Sequence, residues 1–298
     1  MYTQISANKW RSTALIGGFL VFVILLGWGI SYYFDEAWIL PVAVVFSVVQ
    51  ALVAYYQSDA IALSLSGAEP APREGAYLEL HRLVENLAIT AGLPKPRVFV
   101  IDDPAPNAFA TGRDPEHAAI AVTTGLLGRL NKVELEGVIA HEMSHIGNYD
   151  IRTMTIVVVL VGVVSLVTDL FLRSLWWGGS TNRERGGSPW IMVAVLVAAV
   201  LAPIAAMVIQ FAVSRKREYL ADATGALLTR YPEGLASALQ KIAKDPNKLA
   251  HVSSATNHLY IENPLTEEEK QSWFVAIFST HPPVADRIKR LKAMETDA

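Results

Sequence analysis

Four long apolar runs divide the chain into alternating water-averse and water-seeking stretches. Residues 12–34 carry no charge, Asp35 and Glu36 interrupt, and residues 37–58 are again uncharged. A third run covers residues 153–172 with Asp169 its one charged residue, and a fourth covers 190–213 with Pro203 in its interior. Each reaches the roughly 18–20 residues that a helix needs to cross the hydrocarbon layer. The pattern predicts four membrane-crossing helices, because a domain of this size rarely buries four such helices in a water-soluble core. The apolar core of the first run is too long for a cleaved leader, and no small-x-small site precedes Asp35, so it reads as a retained anchor. Aromatic residues gather where membrane interfaces should fall: Tyr32, Tyr33 and Trp38, then Tyr55 and Tyr56, then Trp176, Trp177 and Trp190. Pro203 predicts a kink in the fourth helix. Asp169, near the outer end of its run, reads as solvated.

Between the second and third runs the pattern changes. A Gly/Pro/Ser-rich junction spans residues 64–74, and then Leu78, Leu80, Leu83, Val84 and Leu87 recur at helical spacing until Ala91-Gly92. Residues 96–101, 107–111 and 118–123 read as short strands, punctuated by Asp102, Asp103, Pro104 and the turn residues 112–115. Asn131 followed by Glu134 is a capping box, and Val133, Leu135, Val138, Ile139 and Ile146 continue a 3.6-residue spacing behind it. From Glu218 onward the chain reads as mostly helical, broken at residues 245–247 and 262–264, with no internal repeat. The expected class is therefore α+β and mainly α-helical. Residues 1–58 form two transmembrane helices, 59–152 the first part of a polar domain, 153–213 a transmembrane hairpin that interrupts it, and 214–298 its second part.

Composition sharpens this picture. Of 298 residues, 52% are hydrophobic, too many for an ordinary soluble protein. A net charge of −3 with no basic stripe argues against nucleic acid as a partner and leaves the lipid bilayer as the expected one. The absence of cysteine excludes disulfides, thiolate metal sites and a cysteine nucleophile. Lys9 and Arg11 precede the first run, and Arg215, Lys216 and Arg217 follow the fourth. The positive-inside tendency thus puts both polar segments in the cytoplasm. Arg173, Arg183 and Arg185, against Glu184, run counter to that assignment. It stands because both segments must share a side if one site uses both.

His141-Glu142-Met143-Ser144-His145 carries the chemistry. Residues four apart lie one above the other on a helix, so two imidazoles converge on one ion, while Glu142 projects to the side where it can take a proton from an attacking water. A surface helix that happens to carry these residues is the bland alternative. Two histidines leave a zinc ion short of a third protein ligand. Acidic candidates are many. Glu218 and Asp222 stand out because they are four apart on a helix emerging from the fourth run, the first able to bind metal and the second to orient an imidazole. A solvated helix end explains the same pair without any site. The remaining histidines, His81, His117, His251 and His258, lack ligand spacing and read as surface or locally hydrogen-bonded.

The chain resembles the HtpX-type membrane zinc metalloproteases, relatives of the prenyl-CAAX endoproteases. The resemblance rests on residues 104–112, 123–127, 141–150, 214–222 and 280–283 and covers nearly the whole length. It implies one zinc ion per chain, held by His141, His145 and Glu218, with Glu142 as catalytic base and Asp222 supporting a ligand. It also implies that Asn107, Ala108 and Phe109 pair with the substrate backbone, and that His281 and Arg287 contact the bound peptide or its developing oxyanion. On the residues alone, His281 would instead cap the final helix, started by Pro282 and Pro283. The implied activity is hydrolysis of polypeptides, membrane proteins among them, at the cytoplasmic face of a multi-pass bacterial cell-membrane protein. A catalytically silent scaffold of the same fold and an intramembrane-cleaving protease are the alternatives. The polar start of the motif helix, Asn131-Lys132-Val133-Glu134, weighs against the second.

Overall fold

The computed structural model describes residues 2–75, 77–178, 215–247, 249, 256–261 and 282–296. Helix α1 (Tyr2–Phe34) and α2 (Ile39–Tyr56) form an antiparallel pair whose outer faces expose Leu25, Trp28, Val45, Val49 and Leu52. Their apolar portions, Ile5–Tyr32 and Ile39–Tyr56, are long and apolar enough to cross a membrane. With lipid outside, such a pair gains little from hydrophobicity and relies on close contact between small residues. A Cβ placed on Gly27 would stand 2.2 Å from the Ala43 Cβ, so the glycine allows the two backbones to meet.

Residues of the Gly/Pro/Ser-rich junction turn out to be ordered. Gln57 breaks α2, a short helix α3 (Ser58–Leu65) follows, and strand β1 (Ala68–Pro70) starts the sheet. The sequence hides both elements because a three-residue strand and an eight-residue helix leave too little periodicity. Helix α4 (Tyr77–Ala91) then precedes β2 (Arg97–Ile101), β3 (Ala108–Thr111) and β4 (Ala119–Thr123), each within one residue of the expected strand.

The sheet order is β1-β2-β4-β3, with β2 parallel to β4 and the other pairs antiparallel. Both faces are covered. Val98, Ala108, Ala110, Ile120 and Val122 pack with α4 and with helix α6 (Lys132–Gly147). Phe109, Ala119 and Ala121 pack on the other side with α3 and helix α7 (Asp150–Gly178). Burial on both faces explains why β4 reads as a continuous apolar run and not as an alternating one. Thr123 closes β4 and caps the short helix α5 (Thr124–Arg129) through its hydroxyl, which accepts from the Leu126 amide.

Helix α6 starts with the expected box: the Asn131 side chain accepts from the Glu134 amide at 3.0 Å and the Glu134 carboxylate from the Asn131 amide at 2.9 Å. Glu134 also receives Ser237 Oγ and Lys241 Nζ, both at 2.7 Å, which ties α6 to helix α9 (Pro232–Ala243). Between α6 and α7 the chain turns by 84°, with Tyr149 in the left-handed region at φ 60. The third apolar run lies on α7, which is 29 residues long. The fourth run, Pro203 and His251 lie outside the described residues, and so does the side chain of Asp169. After the fourth run come helix α8 (Arg215–Thr229), α9, a 3-10 turn at Asn257–Leu259 and helix α10 (Val284–Thr296).

Candidate metal centre

Helix α6 passes between the sheet and α8, so its central turns are fully enclosed. His141, Glu142 and His145 are 1%, 2% and 5% exposed. From α8, Glu218 and Asp222 face the same turns, 2% exposed each. This approach depends on Gly225, whose added Cβ would lie 3.0 Å from the His141 amide nitrogen. Residues 218, 222 and 225 occupy one stripe of α8, which lies against α6.

The three prospective ligand atoms converge. His141 Nε2 and His145 Nε2 are 3.2 Å apart, and Glu218 places Oε2 3.8 Å from the first and Oε1 3.6 Å from the second. Ligand atoms each about 2.1 Å from a tetrahedral ion stand about 3.4 Å from one another. The cluster is close to that size and offers two imidazole nitrogens and a carboxylate, the donor set of a divalent zinc-like cation. Among the described residues it is the one group of three or more such side chains with this convergence.

Each imidazole is oriented from behind. His141 Nδ1 donates to Asp222 Oδ1 at 3.0 Å, and His145 Nδ1 donates to Asp150 Oδ2 at 3.1 Å. Both rings are therefore held with Nε2 toward Glu218. Burial opposes the Asp222 charge, yet the Arg287 guanidinium and the His141 hydrogen bond outweigh it and hold its pKa at about 2. Burial likewise opposes a charged His145, but the Asp150 hydrogen bond and the charges of Glu218, Asp150 and Glu142 raise its pKa to about 9. A position so surrounded by carboxylates favours positive charge, whether proton or metal. Glu142 is raised by its burial, against the lowering effect of the two histidines and of a hydrogen bond from the Ala110 amide. A carboxylate so placed beside the imidazoles, with a higher proton affinity than a free one, suits a group that accepts and returns a proton.

Arg287 is fully buried. Its Nε and Nη2 donate to the two Asp222 oxygens at 2.9 and 2.7 Å, and Nη1 donates to the Ile261 carbonyl at 3.0 Å. The same guanidinium also reaches the metal centre itself, with Nη1 3.7 Å from Glu218 Oε2 and Nη2 3.4 Å from His141 Nε2. Its expected companion His281 lies outside the described residues. Ala108 and Phe109 belong to β3, an edge strand of the sheet, and Asn107 immediately precedes it. Ala108 and Ala110 turn their peptide groups away from β4: the Ala108 carbonyl accepts from the Ile261 amide at 3.0 Å, and the Ala110 amide faces Glu142. The Phe109 ring points to the opposite face and meets the Tyr260 ring edge-on at 5.2 Å.

Two histidines expected at the surface or in local bonds need revision. His258 is buried and reaches the Met154 carbonyl of α7 at 2.9 Å, and His81 is buried with the Ala71 carbonyl at 3.0 Å. The aliphatic stripes around them carried no sign of that burial. His117 pairs locally with Asp114, as expected. Asp150 was not singled out as a site residue, since a carboxylate five positions past a ligand matches no ligand spacing. Tyr149 in its left-handed conformation brings it back toward His145.

The comparisons with known proteins agree with this geometry. A family model described as peptidase family M48 matches residues 76–295. A protease HtpX homolog of Tropheryma whipplei is 49% identical over 300 residues, spanning 99% of this chain and 98% of that protein. The Caldanaerobacter subterraneus subsp. tengcongensis protease HtpX homolog is 45% identical over 302 residues, spanning 98% and 97%. The crystal structure of S. mikatae Ste24p superposes with a TM-score of 0.50 at 20% identity, covering 98% of this chain and 67% of that one, a likeness of fold. The chain belongs to peptidase family M48, a membrane metalloprotease whose His141, His145 and Glu218 form a metal-sized cluster.

Proposed function

We propose that the protein is a zinc-dependent endopeptidase of the cell membrane, with His141, His145 and Glu218 as the metal ligands and Glu142 as the general base. The observation that carries this reading is the convergence of three ligand atoms within 4.8 Å of one another with Glu142 buried beside them. When bound, zinc polarises the scissile carbonyl and acidifies water. The Glu142 carboxylate takes the proton of the attacking water and returns it to the leaving amine. Asp222 and Asp150 keep both Nδ1 atoms protonated, so that each ring presents a bare Nε2. Arg287 fixes Asp222, and His281 serves the peptide or the developing oxyanion.

The substrate is taken as an extended strand along Asn107, Ala108 and Phe109, where main-chain bonds supply affinity without demanding a particular sequence. It then replaces Ile261 at the Ala108 carbonyl. Four membrane crossings put residues 59–152 and 214–298 on the cytoplasmic side, where exposed or misfolded stretches of membrane proteins are the substrates. The capping box and the Lys241 tie give α6 a polar start, and a folded sheet packs along it, which favours this reading over cleavage within the bilayer.

Replacing Glu142 by Ala should abolish hydrolysis of a casein-type substrate with one zinc still bound per chain, whereas Glu218→Ala should lose the metal. Full activity in the first variant, or stoichiometric zinc in the second, would refute the corresponding role. A wild-type protein that binds zinc and cleaves nothing would favour the silent scaffold.

A further inference from the structure

The first membrane helix reaches into the metal centre. Asn8, in the second turn of α1, is 0% exposed and spends its side-chain amide group on two acceptors: Asp150 Oδ1 at 2.7 Å and the Asn148 carbonyl at 2.8 Å. Its own carbonyl oxygen lies 3.5 Å from Arg217 Nη1, and Arg217 Nε is 3.7 Å from the same Asp150 oxygen. The other Asp150 oxygen holds His145. Asn8 therefore touches the end of α6, the start of α7 and the start of α8 at once, beside the residue that follows Arg217, Glu218. One turn further along α1, Ser12 Oγ and Thr153 Oγ1 are 2.9 Å apart and close the helix against α7.

A helix that served as an anchor alone would have no use for a buried amide here. Burying one costs free energy unless every polar atom finds a partner. At Asn8 all of them do, and the partners belong to the corner that carries His145. The two imidazoles are thus supported by separate arms: Asp222 and Arg287 behind His141, and Asp150 with Asn8 and Arg217 behind His145. The first arm lies within the polar domain. The second leaves it and ends on a membrane helix.

We propose that Asn8 is a positioning residue for the metal centre. By donating to Asp150 it sets the His145 ring, so that a side chain of the first membrane helix, and not the docking of that helix as such, determines how tightly the metal is held. The proposal rests on the metal-site reading above. Removing a group that orients a histidine ligand through its ring N–H weakens metal affinity by about 10–100-fold. Asp150→Asn should lie in that range, and Asn8→Ala, one step further out, near its lower end at about 10-fold.

The test uses the full-length protein in detergent, with zinc affinity measured by chelator competition and the visible spectrum of the cobalt-substituted form as a second readout. Wild type, Asn8→Ala, Asn8→Asp, Asp150→Asn and Ser12→Ala are compared, together with the melting temperature of each metal-free protein. Asn8→Asp keeps the side-chain volume while replacing the donor with an oxygen that repels Asp150, and it covers the case in which the alanine variant does not fold. The expected result is weaker zinc binding and an altered cobalt spectrum in both Asn8 variants and in Asp150→Asn. Ser12→Ala, which loses a buried hydrogen bond from the same helix, should melt lower but bind zinc as wild type does. Asn8 variants that melt lower yet keep wild-type zinc affinity and an unchanged cobalt spectrum would overturn the proposal, leaving Asn8 a packing residue. If wild type itself binds no stoichiometric zinc, the metal-site reading falls, and this inference with it.

Discussion

Gly225→Ala tests the geometry of the centre without touching any of its polar groups. The glycine lies three residues beyond Asp222 and seven beyond Glu218 on the stripe of α8 that meets α6. A methyl group there would stand 3.0 Å from the His141 nitrogen, 3.2 Å from its Cα and 3.3 Å from the Ala140 carbonyl carbon, while ordinary Cβ contacts begin at 3.4 Å. All three atoms are backbone and cannot swing aside. Helix α8 must therefore retreat by about 0.4 Å or more, twice the tolerance of about 0.2 Å expected of metal–ligand distances. Glu218, whose oxygens already stand 3.6 and 3.8 Å from the imidazole nitrogens, moves with it. Alanine also gains about 1 kcal/mol of helix propensity over glycine, and overpacking costs about 1–3 kcal/mol, so metal-free stability should fall by no more than about 2 kcal/mol. The damage should concentrate on the metal. Zinc affinity is expected to drop about tenfold or more, with kcat/KM falling alongside, while the metal-free melting temperature shifts by a few degrees. Wild-type zinc affinity with full activity would refute the claim that this contact sets the α6–α8 spacing.

Further outcomes follow from the same geometry. Asp222→Asn removes the carboxylate that takes two hydrogen bonds from the fully buried Arg287 and leaves Glu218, 3.7 Å from Nη1, as its remaining carboxylate among the described residues; breaking such a buried pair costs about 3–5 kcal/mol, which denaturant unfolding of the metal-free protein should detect, and a loss below about 1 kcal/mol would mean that Glu218 compensates the arginine. Because Glu142 acts only when ionised and burial raises its pKa, kcat/KM should fall on acidification with a midpoint above 4.5, with bound zinc constant through that limb. A limb at or below 4.5 with zinc retained would count against Glu142 as the base. Tyr260→Ala removes the ring packed on Phe109 and loosens the segment that occupies the Ala108 carbonyl. KM for an extended peptide should then fall severalfold, since one hydrogen bond is worth about 0.5–1.5 kcal/mol, and an unchanged KM would argue against pairing at this edge.

What could be read from residue order was whatever repeats locally. The capping box of α6, the apolar spacing behind it, the strands β2, β3 and β4 and the first two apolar helices all leave short-range signatures, and each is present close to its expected position. The convergence of Glu218 with His141 and His145 was foreshadowed by one spacing, Glu218 to Asp222, together with the family resemblance. Contacts between remote segments leave no such trace. Asn8 bonds Asp150 across |i−j| = 142, and the Arg287–Asp222 pair spans 65 positions. Arg287 illustrates the difficulty: its type and place next to a Thr-His-Pro-Pro turn suggest a site role, while its contacts with Asp222, Glu218, His141 and the Ile261 carbonyl are visible only in the folded chain. Strand β1 and helix α3 were hidden for another reason, being too short, at three and eight residues, to show a period.

The corner gripped by Asn8 also bears on when a newly made chain becomes dangerous to its neighbours. Both imidazoles, the Glu218 carboxylate and their supports come from stretches around positions 8, 141–150, 218–222 and 287. Contacts so distant along the chain form only after their loop-closure entropy has been met. During biosynthesis, therefore, the motif helix emerges long before Glu218 and longer still before Arg287. An unfinished polypeptide exposes histidines and a glutamate that have nothing to act with. Topology alone therefore delays assembly of the centre until the first helix has docked and the last helix has folded back.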